Sequence, residues 1–135
     1  MSERPVLVVV GSESDRDRVA GVMQVLEESG VGYDFVVSSA HRNSQETFQL
    51  AKDARGKGYR IIIAAAGLAA ALPGALAAAT DLPVIGLPLE VGPLHGVDAL
   101  YSIAQLPAGC PVATVGIGNA KNAALLAIRI LGSPA

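Results

Sequence analysis

The chain has 135 residues, a formal net charge of −2, 51% apolar and 16% charged residues, and a single cysteine. That length suits one compact domain, and the balance is too apolar for disorder. The absence of a basic block and an aromatic content of only 4% argue against nucleic-acid binding, and Cys110 alone excludes an internal disulfide or a multi-cysteine metal site. Much of the apolar content is alanine and glycine, which allow close backbone approach. In so small a chain this predicts a homo-oligomer.

The opening MSERPVLVVV has a short apolar run followed at once by GSESD. This is not a signal-peptide layout, so a cytoplasmic location is expected. Residues 6–10 (VLVVV) read as a first strand. A helix follows, with Val19, Val22, Met23 and Leu26 on one buried face, Ser14 and Asp17 as a capping box, and Gly30 as its stop. A second strand at 33–37 leads to a helix from about Asn43, with Glu46 three residues on, to Gly58. Residues 61–79 carry no charge and are long enough to cross a bilayer. They are mostly alanine, however, and Gly67, Pro73 and Gly74 interrupt them. A third strand (60–64), a turn, and a tightly packed helix starting at Pro73 fit better. A fourth strand (83–87), a long loop (89–96), a helix over 97–105, a fifth strand (111–117) and a helix over 120–131 complete the chain.

This β-α-β-α order predicts a three-layer α/β fold. Its five-stranded parallel sheet would carry helices on both faces, in the flavodoxin-like order 2-1-3-4-5. In such a sheet ligands bind beyond the carboxyl ends of the strands, so the loops after strands one, two and three are the place to look. GSESD (11–15) offers a Gly11 turn and then Ser12, Ser14 and Asp15 at a helix start, where free N–H groups favour an anion. Simple capping by one of these residues is the structural alternative. SSAHRN (38–43) places His41, which can move a proton near neutral pH, beside Arg42, whose fork suits phosphate or carboxylate. AAAGLAAALPG (64–74) has no reactive side chain but offers small bulk and backbone amides for a planar ligand. GIGNAK (116–121) is only part of a dinucleotide fingerprint. No Ser-His-Asp order, P-loop or metal-ligand spacing is present, and no metal or cofactor is expected.

GSESD, SAHR, AAAGLAAALPG, LPVIG and GVDALYSIAQLPAGCPVATVGIGNAKNAALLA form a series. From about Val6 to Leu131 it resembles the catalytic subunit of phosphoribosylaminoimidazole carboxylase, a family also called N5-carboxyaminoimidazole ribonucleotide mutase. The resemblance implies one PurE-like α/β domain over residues 1–135, assembled as an octamer and acting in purine synthesis. The implied reaction moves a carboxylate from the exocyclic nitrogen of N5-carboxyaminoimidazole ribonucleotide to carbon 4 of the ring, by way of CO2 held in a closed pocket. Metal, ATP and biotin are not needed. His41 matches the proton shuttle and Arg42 the phosphate ligand. Ser12, Ser14, Asp15, Ser39, Ala40, Gly67, Leu68, Ala69 and Leu72 match substrate-binding positions.

The sequence also departs from the family pattern. Ala65 and Leu68 stand where glycines are usual, Ala71 where a second histidine is usual, and Leu106 where a methionine is usual. The chain ends at Ala135, short of the longer C-terminal helix of many members. His95, in the long loop, is a candidate for the missing imidazole. Three readings therefore stand open: a mutase, a carboxylase using free CO2, or a diverged nucleotide-monophosphate enzyme or binder. An FMN carrier is disfavoured by the scarcity of aromatics.

Overall fold

The computed structural model describes residues 3–132, so the first two residues of the N-terminal segment and the last three of the chain lie outside it. Strands β1 (Val6–Val10), β2 (Tyr33–Val37), β3 (Ile61–Ala66), β4 (Val84–Pro88) and β5 (Ala113–Thr114) form one all-parallel sheet in the order β2-β1-β3-β4-β5. Helices α1 (Ala20–Glu28), α2 (Ser44–Asp53), α3 (Leu72–Ala79), α4 (Val97–Ala104) and α5 (Ala120–Gly132) connect and follow them. This is the α/β, flavodoxin-like arrangement expected from the sequence.

Alternation along the strands sorts their side chains into two cores. Val6, Val8 and Val10 join Ile61, Ile63 and Ala65 in packing against Val22 and Leu26 of α1 and Ala120, Ala123, Ala124 and Ala127 of α5. Leu7 and Val9 join Ile62 and Ala64 on the other face, against Ala51 of α2 and Leu72, Leu76 and Ala77 of α3. The central strands read as unbroken apolar runs because both of their faces are covered. The four alanines of α5 lie on one helical stripe, and their small size lets α5 approach α1: a Cβ on Gly21 would sit 3.3 Å from the Ala120 Cβ.

Several boundaries differ from the sequence reading. The Ser14–Asp17 capping box does not form. Ser12 accepts from the Ser14 N–H instead and caps the first of two 3-10 turns, Glu13–Asp15 and Asp17–Val19; α1 begins only at Ala20. Asn43 precedes α2, but its Oδ1 accepts from the Ser39 N–H at 2.6 Å rather than from the helix. Helix α2 stops at Asp53, and the chain turns through to Gly58, whose φ is +96°. The fifth strand keeps only two paired residues of the seven expected, and both are exposed. Gly30 does end α1, with a φ of +71° that favours glycine. The uncharged 61–79 segment resolves into β3, a loop and the eight residues of α3. Among the described residues no helix is long and apolar enough to cross a membrane.

Two predictions follow from this packing. A Cβ on Gly86 in β4 would lie 2.4 Å from Ile103 Cγ2 and 3.1 Å from Val112 Cγ1. Gly86→Ala should therefore push α4 off the sheet at a cost of about 1–3 kcal/mol, read as a lower urea midpoint. At the sheet edge, Asp34 accepts from Tyr59 Oη at 2.5 Å and from Arg4 Nη1 at 2.6 Å. The Tyr59 hydrogen bond and, after it, Arg4 hold the Asp34 carboxyl below its ordinary value of 3.8. A depressed carboxyl stabilises the fold above that ordinary value, and the contribution fades as pH falls through the folded-state value. Asp34→Asn should cost about 1 kcal/mol near neutral pH, and the gap in melting temperature from the unsubstituted protein should narrow as pH falls below the ordinary carboxyl value of 3.8.

Candidate active site

Three loops leave the carboxyl ends of β1, β2 and β3, neighbours in the sheet, and line one cleft of roughly 480 Å³. That size suits a small organic ligand. The first loop contributes Gly11, Ser12, Ser14 and Asp15. Gly11 does not adopt a left-handed backbone, and a Cβ there would meet nothing within 4 Å. The chain bends here as expected, but neither the backbone nor the packing at this residue requires glycine. The Ser12 and Ser14 hydroxyls lie 2.9 Å apart. Asp15 is buried, and its Oδ1 accepts from Arg18 Nη1 at 2.9 Å.

The second loop is tied down by hydroxyls. Ser39 Oγ accepts from the backbone N–H of His41 at 3.3 Å and of Arg42 at 3.1 Å. Behind it, buried Thr47 of α2 shares its one hydroxyl proton between the Ser39 and Asn43 carbonyls at 3.1 and 3.0 Å. A hydroxyl has one proton, so Ser38 Oγ, 2.6 Å from Thr47 Oγ1, acts as the donor of that pair. The backbone of His41 and Arg42 is thereby fixed while both side chains are exposed on the cleft. His41 Nε2 lies 3.4 Å from the Ala69 carbonyl. A carbonyl only accepts, so this contact needs a proton on Nε2. At that length the contact is weak and is broken at little cost.

The third loop, residues 66–71, forms the apolar wall. A Cβ on Gly67 would fall 2.6 Å from Val91 Cγ2, so glycine is needed for the close approach of the 89–96 loop. Leu68 has a φ of +56° and is about half exposed, at 48%. The resemblance expects a glycine here. The left-handed backbone that glycine takes freely is kept, at a strain cost, with an isobutyl group added. That group lies over the neighbouring loop: a Cβ on Gly92 would be 2.7 Å from Leu68 Cδ2.

All the expected first-, second- and third-loop residues line the cleft together: Ser12, Ser14, Asp15, Ser39, Ala40, His41, Arg42, Gly67, Leu68, Ala69 and Leu72. His95 does not line it. Its Nδ1 lies 3.2 Å from Glu90 Oε2, and its side chain is largely exposed on the long loop. Leu106, the other departure, packs towards α3, where its Cδ2 would lie 2.7 Å from a Cβ on Gly74. Asn119 of the GIGNAK stretch caps α5 by accepting from the Asn122 N–H at 3.1 Å. The sequence reading missed Arg18 and Val91 as lining residues. Val91 carries no pattern that would reveal it. Arg18 does, because it stands three residues after Asp15 in a turn-rich start.

The described residues include no group of three or more His, Cys, Asp or Glu able to hold a metal ion. The cleft brings together one imidazole, one buried carboxylate, two guanidinium groups and several hydroxyls, set against an apolar wall. A family profile described as AIR carboxylase matches residues 5–135. The N5-carboxyaminoimidazole ribonucleotide mutase of Pyrococcus horikoshii is 51% identical over 132 residues, which is 97% of this chain and 75% of that relative. The protein of the same name from Synechocystis is 52% identical over 126 residues, 93% of this chain and 72% of the relative. The crystal structure of Treponema denticola PurE superposes with a TM-score of 0.84 at 29% identity, covering 93% of this chain and 78% of that one. Matched from residue 5 to its last residue by one profile, and half identical to relatives along nearly its whole length, the chain belongs to the AIR carboxylase family.

Proposed function

We propose that this protein is a mutase of purine synthesis that converts N5-carboxyaminoimidazole ribonucleotide to 4-carboxy-5-aminoimidazole ribonucleotide. The observation that carries the reading is the meeting of His41, Arg42 and Asp15 on one cleft, in a chain half identical to proteins named for that reaction. Arg42 takes the phosphate through its fork of donors, and the first-loop hydroxyls and Asp15 take the ribose. The imidazole ring of the substrate lies against the small residues of the third loop.

His41 then moves one proton. As the carbamate C–N bond breaks, CO2 leaves and the exocyclic nitrogen accepts a proton from the His41 imidazolium. The amine-activated carbon 4 attacks the same CO2, a C–C bond forms, and the carbon-4 proton returns to His41. Nothing is consumed, and the histidine ends as it began. The apolar wall of Gly67, Leu68 and Ala69 keeps water from the CO2 and holds it within reach of carbon 4. The protein acts as a homo-oligomer in the cytoplasm, an octamer on the family resemblance. Exposed Phe48, Leu94 and Tyr101, together with the uncovered edge of β5, support association between chains. Light scattering that gave a single 13.7 kDa chain would overturn the oligomer.

A second reading is favoured by Leu68 and Ala71, which alter the wall and leave no second imidazole on it. It is direct carboxylation of aminoimidazole ribonucleotide by free CO2. Comparing turnover of N5-carboxyaminoimidazole ribonucleotide with that of aminoimidazole ribonucleotide plus bicarbonate separates the two. Activity with the first substrate supports the mutase, activity only with the second the carboxylase, and silence with both a diverged binder of another nucleotide monophosphate.

His41→Asn is expected to lower kcat by at least about a hundredfold while the ribonucleotide still binds. Full activity in that variant removes the proton-transfer role. Arg42→Ala is expected to weaken ribonucleotide binding by roughly tenfold or more, measured by calorimetry, with a smaller change in kcat. Undiminished affinity would put the phosphate elsewhere.

A further inference from the structure

The first loop carries two arginines that turn in different directions. Arg16 pairs with exposed Glu13 at 2.8 Å and lies over the Phe35 ring, 4.2 Å from its centroid. Arg18 lines the cleft. Its Nη1 donates to Asp15 Oδ1 at 2.9 Å and reaches the Ser14 carbonyl at 3.4 Å. The pair is unequal in exposure: the Asp15 side chain is 12% exposed and that of Arg18 44%. Successive 3-10 turns place residues three apart on one face, which brings these two side chains together.

The chemistry of the cleft gives this contact a use. A buried carboxylate with no counter-charge would repel a ligand that carries both a phosphate and a carboxylate. A guanidinium on Oδ1 offsets that repulsion locally and holds the carboxylate in one orientation. Oδ2 has no hydrogen-bond partner among the described residues, so it remains available as an acceptor for a ligand hydroxyl. The guanidinium has five N–H donors, and the two contacts seen here come from one of its nitrogens.

We propose that Arg18 is a positioning residue for substrate capture. It orients Asp15 towards the ribose hydroxyls and offsets its charge locally, so that the anionic groups of a ribonucleotide meet a paired carboxylate rather than a bare one. This rests on the ribonucleotide reading above. Arg18 acts on binding and not on the proton transfer at His41, so its removal is read in KM rather than kcat.

The experiment measures kcat and KM for N5-carboxyaminoimidazole ribonucleotide, with calorimetric binding of aminoimidazole ribonucleotide as a readout independent of turnover. Arg18→Ala should raise KM and the dissociation constant roughly tenfold and leave kcat within about threefold. Arg18→Lys, which keeps a cation beside Oδ1, should recover most of the loss, whereas Arg16→Ala should match the unsubstituted protein. In an Asp15→Asn background Arg18→Ala should add little, because the two residues act as one unit. Should alanine lower the melting temperature, Arg18→Gln, which keeps a donor without charge, replaces it. Unchanged KM and affinity in a folded variant, failure of lysine to rescue, or additive losses with Asp15→Asn would each overturn the proposal. A parent protein that neither turns over nor binds either ribonucleotide overturns the functional reading, and this inference with it. A parent that binds normally while the Arg18 variants bind equally well overturns the role of Arg18 alone.

Discussion

One serine hydroxyl sets the direction of the site. Ser39 Oγ accepts the backbone N–H groups of both His41 and Arg42, so two neighbouring basic side chains leave the second loop from a fixed backbone. The serine is itself held: its N–H goes to Asn43 and its carbonyl to Thr47. Without that knot the imidazole and guanidinium would sit on a free loop and lose the orientation that proton transfer and phosphate binding both require. The cost is that Ser39 has spent its acceptor capacity on the backbone. Its place on the cleft wall is structural before it is chemical.

The knot matters because the sheet delivers it to the right place. Val10, the last residue of β1, pairs with Val37 on one side and Ala65 on the other. The loops that follow these three strands therefore rise side by side at the point where the strand order reverses. Alternation within β1 and β3 feeds two separate cores, so both faces of this junction are anchored by helices. The loops can then be built of small, weakly interacting residues, as the third one is, since they need not hold the fold together.

Local pattern made the fold readable. Unbroken apolar runs with helical stretches between them dictate a covered parallel sheet, and strand order follows from few topological choices. The boundaries that escaped are those decided by competition among side chains. Ser12 and Ser14 satisfy each other, so the capping box dissolves into 3-10 turns; Asn43 bonds to Ser39 and not to its helix. The fifth strand was read too long because valines and a glycine around 111–117 look like a strand whether or not a partner is near. Only β4 is near it, over two residues. In the site, GSESD, SAHR and AAAGLAAALPG together nominate every cleft residue except Arg18 and Val91. Arg18 was missed because its meaning depends on the turn that folds it back on Asp15. His95 was nominated as an imidazole, yet it lies outside the cleft because the 89–96 loop turns it towards Glu90.

The Leu68–Gly92 contact joins two left-handed backbones on adjoining loops. Position 92 has a φ of +81°, where a side chain is strained whatever room it has, and Leu68 Cδ2 overlies it. The tip of that leucine can swing aside, so the backbone at residue 92, not the leucine, keeps glycine there. Position 68 is the freer of the two: exchanging its leucine for glycine relieves strain and uncovers the neighbouring loop, whereas position 92 has no such latitude, an asymmetry set by torsion angles.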